Sequence, residues 1–189
     1  MSLKGWDACF PTIIGVCERK DLLTNVQEIL DSIDKDEYFE YANQDTFDVL
    51  PTLLKKEFTQ EVINFLKVVL KINCEVQLTT SWFTHKRAGK HSHTNSWWSA
   101  VYYLVEDSEI EFSKQAQSIC VEADEFHLNS AKEVIYKPNV GDMLIFPSTT
   151  IHTALDYVGS GDRHSLAMNF MPKGKVGFFD SSFTYKNIT

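Results

Sequence analysis

The sequence has few cysteines, and they are not spaced to bind a metal or to build a disulfide scaffold. Cys9, Cys17, Cys74 and Cys120 are the only four in 189 residues, and no two of them form a C-x-x-C pair. Disulfide-rich folds and cysteine zinc sites need that density or spacing, so both classes are excluded. We expect the four thiols to be buried or unreactive.

Positive charge is also scarce. Lys and Arg total 18 against 26 Asp and Glu, which gives a formal net charge of -8. This balance opposes binding to a phosphate backbone or an anionic bilayer, so we expect neither nucleic acid nor a membrane as a partner. The longest nearly apolar run, Trp97–Val105, has nine residues, whereas a membrane-spanning helix needs roughly 20. The N-terminal residues lack the layout of a secretory signal, and we expect a cytoplasmic protein.

Two segments in the first 73 residues have helical periodicity. Apolar residues recur at helical spacing between Asp21 and Lys35, and we expect an amphipathic helix there with Asp21 as its N-cap. A second apolar stripe follows Pro51 and continues to about Ile72. We expect these two helices to support the rest of the fold.

After Asn73 the period changes to two, which indicates strands. In the first strand, Val76, Leu78, Thr80 and Trp82 are expected to share one face. The predicted strands cover 75–84, 97–105, 109–113, 132–137, 142–147, 151–158 and 163–171. Helices followed by several short strands predict an α+β, mainly β fold whose β part is a sandwich, a barrel or a jelly roll.

No linker or repeat marks a domain boundary. We therefore expect a single domain over 1–189, with helical support over 1–73, a β core over 74–171 and a C-terminal extension over 172–189. The irregular stretch 114–131 is a candidate loop over one face of the core.

Histidines mark the first candidate site. His91 and His93 are two residues apart, so their rings project to the same side of an extended chain and can converge on one metal ion. A second segment, Pro138–Ser148, is a turn that feeds an apolar strand and delivers His152 shortly afterwards.

A candidate anion site follows further along the chain. Arg163, Ser165, Ala167, Asn169 and Met171 share one face of the last predicted strand. A guanidinium binds a carboxylate through two parallel hydrogen bonds, and a serine hydroxyl adds a third. Arg163 and Ser165 are therefore candidates for binding a carboxylate.

With these residues the chain resembles the 2-oxoglutarate- and Fe(II)-dependent oxygenases, in particular an oxygenase family common in marine bacteria and their phages. The matching blocks are Phe10–Ile14, Ser81–Phe83 followed by Gly89, His91–Leu104 and Pro138–Ser165. The resemblance implies a double-stranded β-helix, a cupin-like jelly roll, with the two N-terminal helices packed on it. It also implies Fe(II) as the metal and 2-oxoglutarate as the cosubstrate. If the chain is phage-encoded, the expected compartment is the host cytoplasm.

The resemblance implies His91 as the first metal ligand and His152 as the distal one. Two residues after the first His, where the wider superfamily has Asp, this chain has His93. Either the three histidines bind the metal together, or His93 is the first ligand with Asn95 or water next, or a carboxylate arrives from elsewhere. The candidate carboxylates are Asp142 and Asp107. We prefer the three-histidine set, because the spacing from His91 to the following strand matches the family better.

The resemblance also implies which residues bind the cosubstrate. Arg163 would bind the far carboxylate of 2-oxoglutarate, with Ser165 as its helper. Tyr102 or Tyr103 would donate a second hydrogen bond, and strand alternation allows only one of them to face the site.

Other features are weaker candidates. Trp97, Trp98 and Asn169 are expected at a substrate pocket, although the adjacent tryptophans face opposite ways on a strand. A small basic patch beside the first histidines is either an attractor for an anion or a plain exposed loop; it comprises Lys86, Arg87 and Lys90.

The predicted function is a hydroxylase that forms succinate and CO2 from 2-oxoglutarate while oxidising a small-molecule or peptide substrate. One alternative is a cupin-like three-histidine metalloenzyme that does not use 2-oxoglutarate, with Arg163 on the substrate's own carboxylate. Another is a non-catalytic β-helix domain that binds a metal or a ligand. A homodimer is left open.

Overall fold

The computed structural model describes residues 11–40, 48–85, 88–114, 132–157, 162–176 and 183–185. The helices in these ranges are α1 Leu23–Ser32, α2 Lys35–Glu40 and α3 Thr52–Val68. The strands are β1 Gly15–Glu18, β2 Val76–His85, β3 Ala88–His91, β4 Trp98–Tyr103, β5 Ile110–Ser113, β6 Glu133–Tyr136, β7 Asp142–Pro147, β8 Ile151–Ala154, β9 His164–Pro172, β10 Gly174–Val176 and β11 Phe183–Tyr185.

Two antiparallel sheets form the β part. A five-stranded sheet has the order β1-β7-β4-β9-β2, and a four-stranded sheet has the order β3-β8-β5-β6. The chain crosses between them repeatedly, since β7 and β9 belong to the first sheet and β8 to the second. This alternation is the jelly-roll arrangement, and the predicted α+β, mainly β fold is confirmed.

The helices cover one face of the five-stranded sheet. Phe58, Val62 and Leu66 of α3 are fully buried there together with Val26 and Leu30 of α1. Each such side chain contributes roughly 1.5–3 kcal/mol by leaving water. None of the helices within the described ranges is long and apolar enough to cross a bilayer.

The other face of this sheet turns toward the smaller sheet. Between the two sheets lies a second apolar cluster, formed by Tyr103, Ile110, Phe112, Leu144 and Phe146. The two faces of β4 and β7 therefore belong to two different cores, as the period of two requires. The candidate site lies beside this second cluster.

Both predicted long helices and all seven predicted strands are present; β7 has the predicted bounds, and the other elements have shifted ends. Asp21 is not an N-cap: it lies in a 3-10 turn over Lys20–Leu22, α1 begins at Leu23, and the Asp21 carboxylate pairs with Arg19 instead. Helix α2 and strands β1, β3, β10 and β11 were not predicted. The hairpin of β10 and β11 lies in the predicted C-terminal extension.

The predicted facing of β2 is wrong over part of its length. A β-bulge lies between Leu78 and Thr80 and inserts one extra residue into the strand. Val76 and Leu78 pack in the helix-side core, whereas Trp82, beyond the bulge, lines a cavity on the opposite face. A single inserted residue reverses the facing of every residue that follows.

Candidate metal and dicarboxylate site

Three histidines come together at the cavity between the two sheets. His91 at the end of β3 lies directly opposite His152 of β8 in the strand register, and His93 follows in the next loop. Their ring centroids are 4.3 to 5.2 Å apart. One candidate ligand nitrogen from each ring lies within 4.8 Å of the other two. The structure thus assembles the three-histidine set that the sequence favoured.

Backbone carbonyls fix the orientation of two of these rings. His91 Nδ1 donates to the Gly89 carbonyl at 2.6 Å, and His152 Nδ1 donates to the Thr150 carbonyl at 2.9 Å. Because a carbonyl only accepts, both Nδ1 atoms carry a proton, which leaves Nε2 as the ligand atom of each ring. This is the usual arrangement of metal-binding histidines, so the side chains present fit a bound metal ion.

Burial also favours the neutral form of the imidazole ring, which is the form that binds a metal. It lowers the pKa of His93 and of His152 to about 4. Both rings are therefore neutral near pH 7, and a metal binds the neutral imidazole.

The other ligand sets from the sequence are not assembled. Asn95 is exposed in the turn after His93 and does not line the cavity. Asp142 accepts hydrogen bonds from the amide and the side chain of Asn139, at 2.8 and 3.1 Å. Asp107 pairs with Lys137 at 2.6 Å. Within the described ranges, neither carboxylate joins the histidine cluster.

A cavity of about 120 Å³ extends from the histidines between the sheets. Arg163 reaches it from the residue before β9 and is only 3% exposed. Its Nη1 donates to the Leu155 carbonyl at 3.2 Å, but its Nε is buried with no hydrogen-bond partner. No ion pair joins it to any carboxylate in the described part of the chain. A buried guanidinium left in this state favours an anionic ligand beside it.

The adjacent tyrosines of β4 divide as strand alternation requires. Tyr103 lines the cavity, and its buried hydroxyl has no partner among the described residues. Burial raises its pKa, and the nearby Arg163 acts in the opposite direction. Tyr102 faces the helices, where its hydroxyl donates to the Arg19 carbonyl at 2.8 Å. The structure therefore points to Tyr103, not Tyr102, for a hydrogen bond to a ligand.

Ser165 also lines the cavity, and its hydroxyl lies 2.6 Å from that of Thr84. One of the two hydroxyls donates to the other, and the second keeps its proton for an anion placed against Arg163. The buried cationic and hydroxyl groups on this wall match the donor set that a carboxylate needs.

The predicted substrate-pocket residues lie outside the cavity. Trp98 packs against Phe65 in the helix-side core, with ring centroids 5.4 Å apart, and Trp97 packs at the margin of the same core. Asn169 Oδ1 accepts a hydrogen bond from Ser99 at 2.7 Å. The aromatic wall is formed instead by Trp82, whose ring centroid is 5.7 Å from that of His93. Sequence reasoning missed Trp82 because the bulge before it changes its face.

Of the predicted basic patch, the structure describes Lys90, and this residue is paired with carboxylates. Lys90 pairs with Glu111 at 2.9 Å and also with Glu133. Lys86, Arg87 and residues 115–131 of the predicted loop over 114–131 lie outside the described residues. Within the described ranges, Arg163 is the cation that the cavity offers.

The sequence model of a family described as "Putative 2OG-Fe(II) oxygenase" matches residues 80–169, where 2OG is 2-oxoglutarate. This range contains the three histidines, Tyr103, Arg163 and Ser165. Residues 80–169 match the 2OG-Fe(II) oxygenases. The resemblance to this superfamily is confirmed, while the narrower likeness to proteins of marine bacteria and phages stays a prediction. No curated protein sequence matches the chain significantly.

Two solved structures share this fold over most of the chain. AviO1 from Streptomyces viridochromogenes is similar at a TM-score of 0.57 and 11% identity, over 83% of this chain and 88% of that one. HygX from Streptomyces hygroscopicus, with nickel and 2-oxoglutarate bound, is similar at a TM-score of 0.55 and 12% identity, over 85% of this chain and 82% of that one. At this identity the similarities establish the fold.

Proposed function

We propose that the protein is an Fe(II)- and 2-oxoglutarate-dependent oxygenase that hydroxylates a small-molecule or peptide substrate. The observation that carries the proposal is one cavity lined by three convergent imidazoles and by a buried guanidinium without a carboxylate partner. The family match over residues 80–169 supports the same metal and cosubstrate. HygX, a protein of similar fold, has 2-oxoglutarate bound.

The three histidines would hold the metal. The carbonyls of Gly89 and Thr150 keep the Nδ1 protons of His91 and His152, so Nε2 is the atom of these two rings that would bind it. Iron(II) held there supplies the binding and activation of dioxygen and couples the decarboxylation of 2-oxoglutarate to oxidation of a C–H bond.

Arg163, which lines the same cavity, would orient the cosubstrate. Its guanidinium and the Tyr103 hydroxyl donate to the far carboxylate of 2-oxoglutarate, and Ser165 adds a third donor. All three groups are buried, so the carboxylate exchanges water for fixed donors of matching charge. The apolar walls of Ile110 and Phe146 exclude water around the remaining atoms.

An anaerobic titration tests this proposal. Adding 2-oxoglutarate to the Fe(II)-loaded protein should develop a visible charge-transfer band. The variant His152→Ala should lose it, because it removes one ligand. A matched control is His164→Ala, since this histidine is also buried but faces Phe39 on the helix side, with ring centroids 5.5 Å apart. A wild-type protein that holds iron and 2-oxoglutarate without developing the band contradicts the proposal.

A second candidate follows from the ligand set itself. No carboxylate joins the three histidines within the described ranges, and neutral histidines alone leave more net positive charge on the metal. A cupin-like metalloenzyme that does not use 2-oxoglutarate would place its substrate's carboxylate on Arg163. Succinate formation separates the two, because only the oxygenase converts 2-oxoglutarate to succinate.

A further inference from the structure

The distance between His93 and His152, two predicted metal ligands, depends on the contacts between the two chain segments that carry them. His93 lies in the loop between β3 and β4, whereas His152 stands at the start of β8, after the turn that follows β7. Their ring centroids are 5.2 Å apart. The two imidazoles are far apart in the chain, so hydrogen bonds between the two segments must fix that distance.

Ser148 makes these connections with its main chain. Its carbonyl accepts from the His93 amide at 2.8 Å, and its amide donates to the Trp97 carbonyl at 3.1 Å. Ser148 thus binds the β3–β4 loop at two points that lie on either side of Ser96. In the same turn, the Thr150 amide donates to the Pro147 carbonyl at 2.9 Å, while the Thr150 carbonyl accepts from the His152 ring.

The Ser148 side chain anchors this turn to the large sheet. Its hydroxyl is fully buried and lies 2.8 Å from the hydroxyl of Ser99 on β4. Ser99 donates its single proton to Asn169 Oδ1 on β9, at 2.7 Å. Each hydroxyl has one proton, so Ser148 is the donor to Ser99, and the chain of hydrogen bonds runs from Ser148 through Ser99 to Asn169. The turn that carries His152 is thereby fixed to two neighbouring strands.

We propose that Ser148 is a positioning residue that sets the distance between His93 and His152. The proposal rests on the proposed metal site. Ser148 touches neither metal nor substrate; it acts on one histidine through that residue's own amide and on the other through the turn. Groups that orient metal ligands in this way typically change metal affinity by about 10–100-fold when removed.

The variant Ser148→Ala tests the proposal, with binding of Co(II) to the metal-free protein as the readout. We expect about 10–100-fold weaker Co(II) binding and a changed visible d–d spectrum, because the turn loses its anchor to β4. The matched control is Ser81→Ala. Ser81 is equally buried and accepts a hydrogen bond from the Leu50 amide at 3.2 Å. It lies on the helix face, so its loss should lower thermal stability while Co(II) affinity and spectrum stay as in wild type.

Equal Co(II) affinity and spectrum in Ser148→Ala and wild type overturn the positioning role and leave the proposed function standing. The same follows if Ser81→Ala weakens Co(II) binding as much, since general loosening then explains the effect. A wild-type protein that binds no Co(II) overturns both proposals. Should Ser148→Ala fail to fold, Ser99→Ala removes the same hydroxyl contact from the β4 side and leaves the Ser148 side chain in place. It should weaken Co(II) binding in the same direction by a smaller factor, and unchanged binding overturns the role.

Discussion

The two faces of the five-stranded sheet bury different kinds of side chain. On the helix side, Tyr102, Ile145 and Leu166 pack against the helices, and the Tyr102 hydroxyl is satisfied by a backbone carbonyl. On the cavity side, Arg163 and Tyr103 are equally buried, but Arg163 Nε and the Tyr103 hydroxyl have no partner in the described part of the chain. Unpaired buried polar atoms cost stability. Trp98 Nε1 on the helix side also lacks a partner, but the helix side is otherwise an apolar core that stabilises the fold, whereas the cavity side buries a guanidinium with no carboxylate partner in the described part of the chain.

The helix side should give the largest loss of stability. Phe58 is fully buried on α3, and its ring centroid is 5.3 Å from that of Tyr102. Phe58→Ala should lower the free energy of unfolding by about 3–5 kcal/mol, because it removes buried apolar area and leaves a cavity. Chemical denaturation measures this change. Affinity for 2-oxoglutarate, measured under conditions where the variant is fully folded, should stay as in wild type. A loss of that affinity in Phe58→Ala would contradict the separate roles of the two faces.

On the cavity side, Arg163→Met should preserve stability and weaken 2-oxoglutarate binding, which is the opposite of the result expected for Phe58→Ala. Replacing an unpaired buried charge with an apolar side chain should leave the free energy of unfolding unchanged or raise it by about 1–4 kcal/mol. Affinity of the metal-loaded protein for 2-oxoglutarate should fall roughly 30-fold or more, the effect of losing a buried charge partner. Calorimetry and denaturation on one sample give both values. A destabilised variant with normal 2-oxoglutarate affinity would show that Arg163 supports the fold instead.

The adjacent Tyr102 and Tyr103 test the comparison more finely, because replacing either with Phe removes a single hydroxyl oxygen. Tyr103→Phe should weaken 2-oxoglutarate binding by about 1.5–3 kcal/mol, the value of a hydrogen bond to a charged group, and leave stability unchanged. Tyr102→Phe should lower the free energy of unfolding by about 0.5–1.5 kcal/mol through loss of its bond to Arg19. It should not change 2-oxoglutarate affinity. Equal effects of the two variants on binding would contradict the assignment of Tyr103 to the site.

Periodicity predicted the elements whose burial is regular. The long stripes of α1 and α3, and apolar strands such as β4 and β7, have enough alternating or helical residues to be read directly. Strand β3 was missed because Ala88–His91 has no apolar alternation and forms through backbone pairing with β8. Short elements that depend on a distant partner leave little local signal.

Sequence reasoning named the side chains that converge at the candidate site but not the residues around them. Residue types with specific chemistry identified the three histidines and Arg163. Trp82 was missed because the bulge at 78–80 reverses its face, and Ser148 because a serine in a turn is ordinary until its contacts with His93 and Ser99 are known. Contacts between residues far apart in sequence have no local pattern that reveals them.

The most direct test is a crystal structure of the protein grown anaerobically with Fe(II) and 2-oxoglutarate. We predict one iron bound by Nε2 of His91 and of His152 and by a ring nitrogen of His93. We also predict the far carboxylate of 2-oxoglutarate within hydrogen-bond distance of Arg163 and Tyr103. An iron bound through Asn95 or a carboxylate side chain, or a 2-oxoglutarate that does not contact Arg163, would contradict the account.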